Sequence, residues 1–428
     1  MRSVVSKMAP ALVAPSEPTP SGYLPLSLLD RLPAMRSYVD MIHVFRSGRE
    51  PARVIREALA RALVPYYPVA GRFATSCEDG QLYVDCTAEG VWFVEAYADC
   101  RLDEVDYLEC QPLVIPAEQL FPSPPAAVDQ DALTFLLQVT EFKCGGFVIG
   151  FKCSHCLFDA IGVGQFILAV SELARGLPQP TIKPVWCREA FPGPANFHQL
   201  YDRQLSTAPT APPPPPLPTF QLEHCTMDIP LDVISKLKNS FLKETGKNCS
   251  VFDVMTAFVW QCRTRAIGLP PDAELTLNFP ANVRQELHRE LPADGGYYGN
   301  CVYHIVVEAT SGEIADAPLF DVVRRIGSAK ESLSSKFAKW LKGDPDETPL
   351  PSSFSYGSMS FTDLRRAAFV KSDYGWGPPD RVVPIFDHPV GLCVFLNSPA
   401  PRKGVRLMTH CVVKEQLQAF KDEIKKLV

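Results

Sequence analysis

FVIGFKCSHCLFDAIGVGQFILAVSELARG, residues 147–176, is the stretch whose reading decides the fold. Phe147 to Ser154 is rich in aromatic and β-branched residues, which favours an extended strand. The period then changes: Ile161, Phe166, Ile167, Val170 and Leu173 recur at helical spacing, and Gly176 is placed to end the helix. Asp159 stands at the N-cap position, where its carboxylate is expected to accept unpaired backbone N–H groups. His155 lies between strand and helix, so the sequence places an imidazole at the junction of two regular elements.

Working outward, LTFLLQVTEFK (133–143) and the turn Cys144-Gly145-Gly146 complete a hairpin with the strand that ends at His155. Further upstream, Pro51 precedes ARVIREALARALV, in which Val54, Ile55, Ala58, Leu59, Ala62 and Leu63 describe an amphipathic helix stopped by Pro65. Downstream, APTAPPPPPLPTF (208–220) is an extended polyproline run and reads as an interdomain crossover. The expected organisation is therefore an N-terminal lobe at 1–190, a linker at 191–220 and a C-terminal lobe at 221–428, with allowance for a strand exchanged back to the first lobe. In the second lobe the runs 231–244, 250–268 (capped by Ser250) and 319–343 read as helices. VGLCVFLNSP (390–399) and GVRLMTHCVV (404–413) read as a hairpin, followed by the helix KEQLQAFKDEIKKLV. Helices alternating with mostly antiparallel strands in both halves give an α/β or α+β pair of similar lobes. No fixed-period repeat is present.

Composition excludes several function classes. The chain has 428 residues, enough for two ordinary domains, and a formal net charge of -6 without a Lys/Arg-rich block, so it lacks the footprint of a nucleic-acid binder. Charged residues make up 21%, and no apolar run approaches the length of a membrane helix. The opening MRSVVSKMAPALVAPSEPTPSG is cut by Pro10, Pro15, Pro18 and Pro20, unlike a secretory signal, so a cytoplasmic location is expected. The 14 cysteines are scattered in a way that suits reduced thiols. Cys153-x-x-Cys156 brackets His155, but no second pair follows at metal-site spacing, and two ordinary small thiols are the simpler reading.

Three constellations remain. The first is His155-x-x-x-Asp159. With eight histidines and 48 acidic residues the bare pattern arises by chance, and a satisfied strand-end histidine beside a helix cap explains it as well. Its chemical reading is that an imidazole can take a proton from an alcohol or amine as a new acyl bond forms, while Asp159 serves the architecture. A serine acyl-enzyme is disfavoured, because the chain contains no G-x-S-x-G. The second is Asp373-Tyr374-Gly375-Trp376-Gly377-Pro378-Pro379, a sharply turned, rigid loop with an acid at its start. The third is Gly296-Tyr297-Tyr298-Gly299-Asn300-Cys301, a glycine turn leading into the strand CVYHIVVE.

Together these pieces resemble the BAHD acyltransferase family. His155 and Asp159 match its HxxxD motif, residues 373–377 match its DFGWG motif with Tyr374 for phenylalanine, and residues 296–301 resemble its GYFGN region. LSLLD (26–30), YYPVAGRF (66–73) and the SVFDVMTAFVWQCRTRA helix resemble further family segments, so the likeness spans essentially the whole chain. It implies two similar domains like chloramphenicol acetyltransferase, with mixed sheets flanked by helices and a channel between them where His155 meets both substrates. It implies His155, Asp159 and Asp373 as the catalytic-motif residues, the two acids in scaffold roles. Gly375, Trp376 and Gly377 give structural support, with Trp376 also shaping the donor site. It further implies an arginine partner for Asp159, best matched by Arg284 of LNFPANVRQEL. Coenzyme A carries phosphates that favour helix N-termini, and Ser250 is assigned one such contact.

In detail, residues 43–73 resemble the grass hydroxycinnamoyl-CoA:monolignol transferases of the p-coumaroyl type. The implied reaction moves a hydroxycinnamoyl group from acyl-CoA, a co-substrate rather than a bound cofactor, to a small phenolic alcohol, in a monomer without metal, membrane or nucleic-acid partner. Members of the family that use shikimate or quinate carry an arginine in an SWTRL-like segment; the matching run Ser360 to Leu364 has Asp363 there, which would repel a carboxylate and favour a neutral acceptor. Ser37, Tyr38, Phe361, Thr362 and Asp363 are the expected acyl and acceptor pocket. The alternatives are a benzoyl- or acetyl-CoA-dependent alcohol acyltransferase and a catalytically idle homologue that binds CoA or phenolics.

Overall fold

The hairpin that carries His155 forms as its sequence requires. Phe135–Phe142 and Phe147–Ser154 pair antiparallel, and Gly145, at φ 80°, takes the left-handed conformation that the tight turn between them needs. The computed structural model describes residues 4–32, 35–76, 80–109, 111–191, 193, 220–292, 295–344, 346–347, 355–386 and 390–426. The proline run assigned to the crossover, up to residue 219, lies outside the described residues.

The chain divides into two compact units, and neither is continuous. The first contains Met1–Pro192, Leu287–Cys301 and Arg366–Phe386; the second contains Gly193–Glu286, Val302–Arg365 and Asp387–Val428. Two segments therefore return to the first unit across the proline run, of which the exchanged strand was allowed for and residues 287–301 were not. One of them supplies the strand Arg381–Ile385, which pairs with Tyr38–Phe45 and closes one edge of the first unit's sheet. The other carries Gly296 to Cys301 to the N-terminal end of the helix Ala160–Ala174.

Among the described residues the main sheet of the first unit has seven strands. It is mixed: Val91–Ala98 runs parallel to Phe135–Phe142, and the pairs from there to Arg381–Ile385 are antiparallel. The helices Pro51–Ala62 and Ala160–Ala174 pack against each other, the first through Ile55, Ala58, Leu59 and Ala62. Gln165 in the second helix donates to the hydroxyl of Tyr66 at 2.9 Å and to the Gly296 carbonyl at 3.1 Å, joining three distant sequence segments.

The second unit has a six-stranded mixed sheet over the helix Val251–Ile267, whose Val254, Phe258 and Trp260 lie in the core. Its last two strands, Gly391–Asn397 and Gly404–Val413, form the expected antiparallel hairpin and lead into Lys414–Lys425. The run 319–343 is broken at Ser332 into Leu319–Glu331 and Leu333–Leu341. Two mixed sheets flanked by helices are thus the architecture expected from the sequence. Among the described residues no helix is long and apolar enough to cross a membrane, and the cysteines form no disulfide. Burial pushes the Cys156 thiol up to about 12 and raises Cys153 as well, which makes both poor redox nucleophiles.

One close approach fixes the helix after His155. A Cβ built on Gly162 would lie 2.0 Å from the carbonyl oxygen of Tyr298, so only glycine lets the 295–301 segment sit on this helix turn. Gly162→Ala is expected to destabilise the protein by about 1–3 kcal/mol through overpacking against backbone. A lowered urea midpoint measures this, and an unchanged midpoint contradicts the close approach.

Candidate active site

His155 follows the strand Phe147–Ser154 directly, and its main chain is fully engaged. Its N–H donates to the Ser37 carbonyl at 2.9 Å, and its carbonyl accepts from Asn300 Nδ2 at 2.6 Å. Two residues on, the Leu157 N–H donates to Ser154 O at 3.0 Å, and Leu157 O accepts from Arg188 Nη2 at 2.5 Å. The turn is therefore fixed through its peptide groups. The imidazole itself is half-buried, and its Nδ1 is enclosed without a hydrogen-bond partner. Among the described residues no carboxylate sits on this nitrogen, which is not the arrangement of a nucleophile–base–acid relay.

Asp159 is the N-cap of Ala160–Ala174. Its Oδ1 accepts from Gly162 N at 2.8 Å and its Oδ2 from Cys301 N at 3.1 Å. Both carboxylate oxygens thus serve backbone donors, and the residue is 3% exposed. Its part is architectural, as its helix-start position implied. Next to it lies a second buried acid that sequence reading quoted only as the end of LSLLD. Asp30 and Arg188 are ion-paired at 2.8 Å with side chains 0% exposed, and Asn300 donates to Asp30 Oδ1 through both N (2.9 Å) and Nδ2 (2.8 Å). Burial works against the Arg188 charge, but Asp30, Tyr297 and Tyr298 beside it hold the guanidinium above its ordinary value. Arg188 carried no signal in the sequence, since Trp186-Cys187-Arg188 reads as an ordinary loop.

The remaining expected site residues sort differently. Asp373 holds its own loop: Oδ1 accepts from Gly375 N and Gly377 N, each at 2.8 Å, and those glycines have φ 107° and 92°. It is a turn-forming acid with Arg175 4.0 Å away, the kind of part a scaffold residue plays. Trp376 packs edge-on against Phe147, and Tyr374 against Phe45, which anchors the loop to the strands of the His155 sheet. Tyr38 donates its hydroxyl to the carbonyls of Gln130 and Leu133 at 2.6 and 2.7 Å, while Ser37 contributes its carbonyl to His155.

Phe361 is 0% exposed in the core of the second unit, packed near Phe395, so its assignment to a substrate pocket is corrected. Thr362 is half-buried in the same strand, Ser358–Asp363. Asp363 is held by Arg365 through Nε at 2.9 Å and Nη2 at 2.6 Å, so it is a neutralised pair rather than a lone repelling carboxylate. Ser250 caps Val251–Ile267 in a reciprocal box with Asp253, whose carboxylate also receives Lys330 at 2.7 Å. That helix end already holds the Asp253 carboxylate, and Ser250 itself is exposed. Arg284, in the second unit, bonds Asn282 Oδ1 through its backbone N at 3.0 Å and Nη1 at 3.3 Å.

The profile of the Transferase family matches residues 3–427. The chain belongs to the BAHD acyltransferase family. This BAHD acyltransferase is 50% identical to a myricetin 3-O-glucosyl 1,2-rhamnoside 6'-O-caffeoyltransferase of Crocosmia x crocosmiiflora, over 99% of both chains. It is 43% identical to acyl transferase 4 of Oryza sativa subsp. japonica, over 96% of each. Its fold is that of vinorine synthase, with a TM-score of 0.74 at 20% identity, covering 99% of this chain and 98% of the other. As a BAHD member it is a CoA-dependent acyltransferase.

Removing the Asp159 carboxylate tests its structural part. Asp159→Ala loses an N-cap, about 1 kcal/mol, and leaves the buried Cys301 N–H without that acceptor, about 1–3 kcal/mol more. Asp159→Asn keeps one acceptor oxygen and is expected to lose less. Equilibrium denaturation distinguishes them, and wild-type stability in Asp159→Ala contradicts the assignment.

Proposed function

We propose that His155 is the general base of a hydroxycinnamoyl transfer from its CoA thioester to the hydroxyl of a small phenolic acceptor. The acceptor oxygen attacks the thioester carbonyl while the imidazole takes the hydroxyl proton. The tetrahedral oxyanion then collapses, the C–S bond breaks, and the proton passes from His155 to the departing thiolate. With Nδ1 enclosed, Nε2 is the nitrogen that exchanges the proton. No covalent acyl-enzyme is required.

The observation that carries this reading is the half-buried imidazole locked by its main chain at a strand end, with both Asp159 oxygens on backbone donors. The donor class is supported by the whole-length identity to a caffeoyltransferase. A neutral acceptor is supported by the run Ser360 to Leu364, which itself contains no arginine, while Arg365 beside it is engaged by Asp363. A monolignol meets this requirement. The name of the Crocosmia relative favours a second acceptor, a sugar hydroxyl on a flavonoid glycoside.

A donor and acceptor panel tests the proposal. p-Coumaroyl-, caffeoyl- and feruloyl-CoA are expected to turn over faster than benzoyl- and acetyl-CoA, with sinapyl alcohol or a myricetin glycoside but not shikimate as acceptor. His155→Ala is expected to lower kcat by about 10²–10⁴-fold with little change in stability. Preference for acetyl- or benzoyl-CoA, or full activity without the imidazole, sinks the reading.

A further inference from the structure

We infer that Asp30, Arg188 and Asn300 are positioning residues for the reaction, setting the direction of the His155 imidazole through its peptide group; this rests on His155 being the base. Among the described residues the enclosed ring nitrogen has no partner, so none of them aims the ring by a hydrogen bond at that atom. What the main-chain bonds fix is the direction of the Cα–Cβ bond from which the ring extends.

One carboxylate reaches both sides of the turn. Asp30 Oδ1 holds Asn300, whose Nδ2 also donates to His155 O; Asp30 Oδ2 holds Arg188 Nε, and the same guanidinium donates through Nη2 to Leu157 O. Asn300 Nδ2 faces two acceptors, a carboxylate and a carbonyl, which fixes the amide orientation. Asp30 is itself immobilised by Ser27, through N at 3.0 Å and Oγ at 2.7 Å. The guanidinium plane is clamped by rings, 3.7 Å from the Trp186 centroid and 4.9 Å from that of Tyr298. Asp30, Arg188 and Asn300 are 0%, 1% and 0% exposed.

A buried ion pair is a poor source of stability, because the desolvation of two charges offsets their attraction. What such a pair does impose is a single arrangement, since any displacement leaves charged groups unbonded in a place water does not reach. Here that arrangement includes the two carbonyls flanking Cys156. A purely structural network would, when damaged, lower stability and affect substrate binding and rate alike. A positioning network lowers kcat selectively.

The test is Asn300→Ala, which removes the amide from both Asp30 and His155 O. kcat is expected to fall about 10–100-fold, as for a base displaced by a fraction of an ångström, while KM for the acyl-CoA stays within about threefold. Placed in a His155→Ala background, the same substitution is expected to change the residual rate less than about twofold, because it acts only through the imidazole. Additive losses in the double variant, or a kcat within twofold of wild type in Asn300→Ala, overturn the inference. If His155→Ala alone keeps wild-type kcat, the base assignment fails instead, and the two failures are distinct. Should Asn300→Ala not fold, Arg188→Lys keeps a cation beside Asp30 but loses the bond to Leu157 O. The same kcat-selective loss is then expected, and its absence again overturns the inference.

Discussion

Two consecutive backbone amides hold this site together. Asn300 N donates to Asp30 and Cys301 N to Asp159, so two buried carboxylates from the N-terminal part of the chain accept a segment that enters about 140 residues after the second of them. Buried peptide groups must be bonded, and buried carboxylates must find donors. Each requirement is met by the other. The return of residues 287–301 to the first unit, and with it the fixed turn at His155, depends on this exchange.

The same arrangement bears on the proposed base, whose enclosed nitrogen has no acidic partner among the described residues. Both acids nearest in the chain or network, Asp30 and Asp159, spend their oxygens on other donors. The sheet supplies the position, the turn's peptide bonds fix the main chain, and the residue stays half-buried. Gly162 completes the set, since its missing side chain lets Tyr298 O reach the first turn of the following helix.

Much of this was legible in the sequence, where the determinant is local. The change from strand to helical period around His155, the Asp159 cap, the Ser250 cap and the last hairpin all follow from short-range preferences, and all occur. Other features are set by contacts across hundreds of residues and leave no local trace. The pairing of Asp30 with Arg188 and Asn300 spans separations of 158 and 270 residues, and the strand Arg381–Ile385 is recognisable only once its partner Tyr38–Phe45 is known. Phe361 was misassigned for a related reason, since a phenylalanine in a strand can face core or ligand. Asp363 was read as an isolated charge because its neutraliser, Arg365, lies two residues on, where only geometry shows that the two meet.

Native-state hydrogen exchange at the amides of Asn300 and Cys301 tests the central claim most directly. If two buried carboxylates hold these groups, both amides exchange as slowly as those of the strand Phe147–Ser154, through opening that approaches global unfolding. Exchange at the rate of an exposed loop, with the strand still protected, would contradict the account.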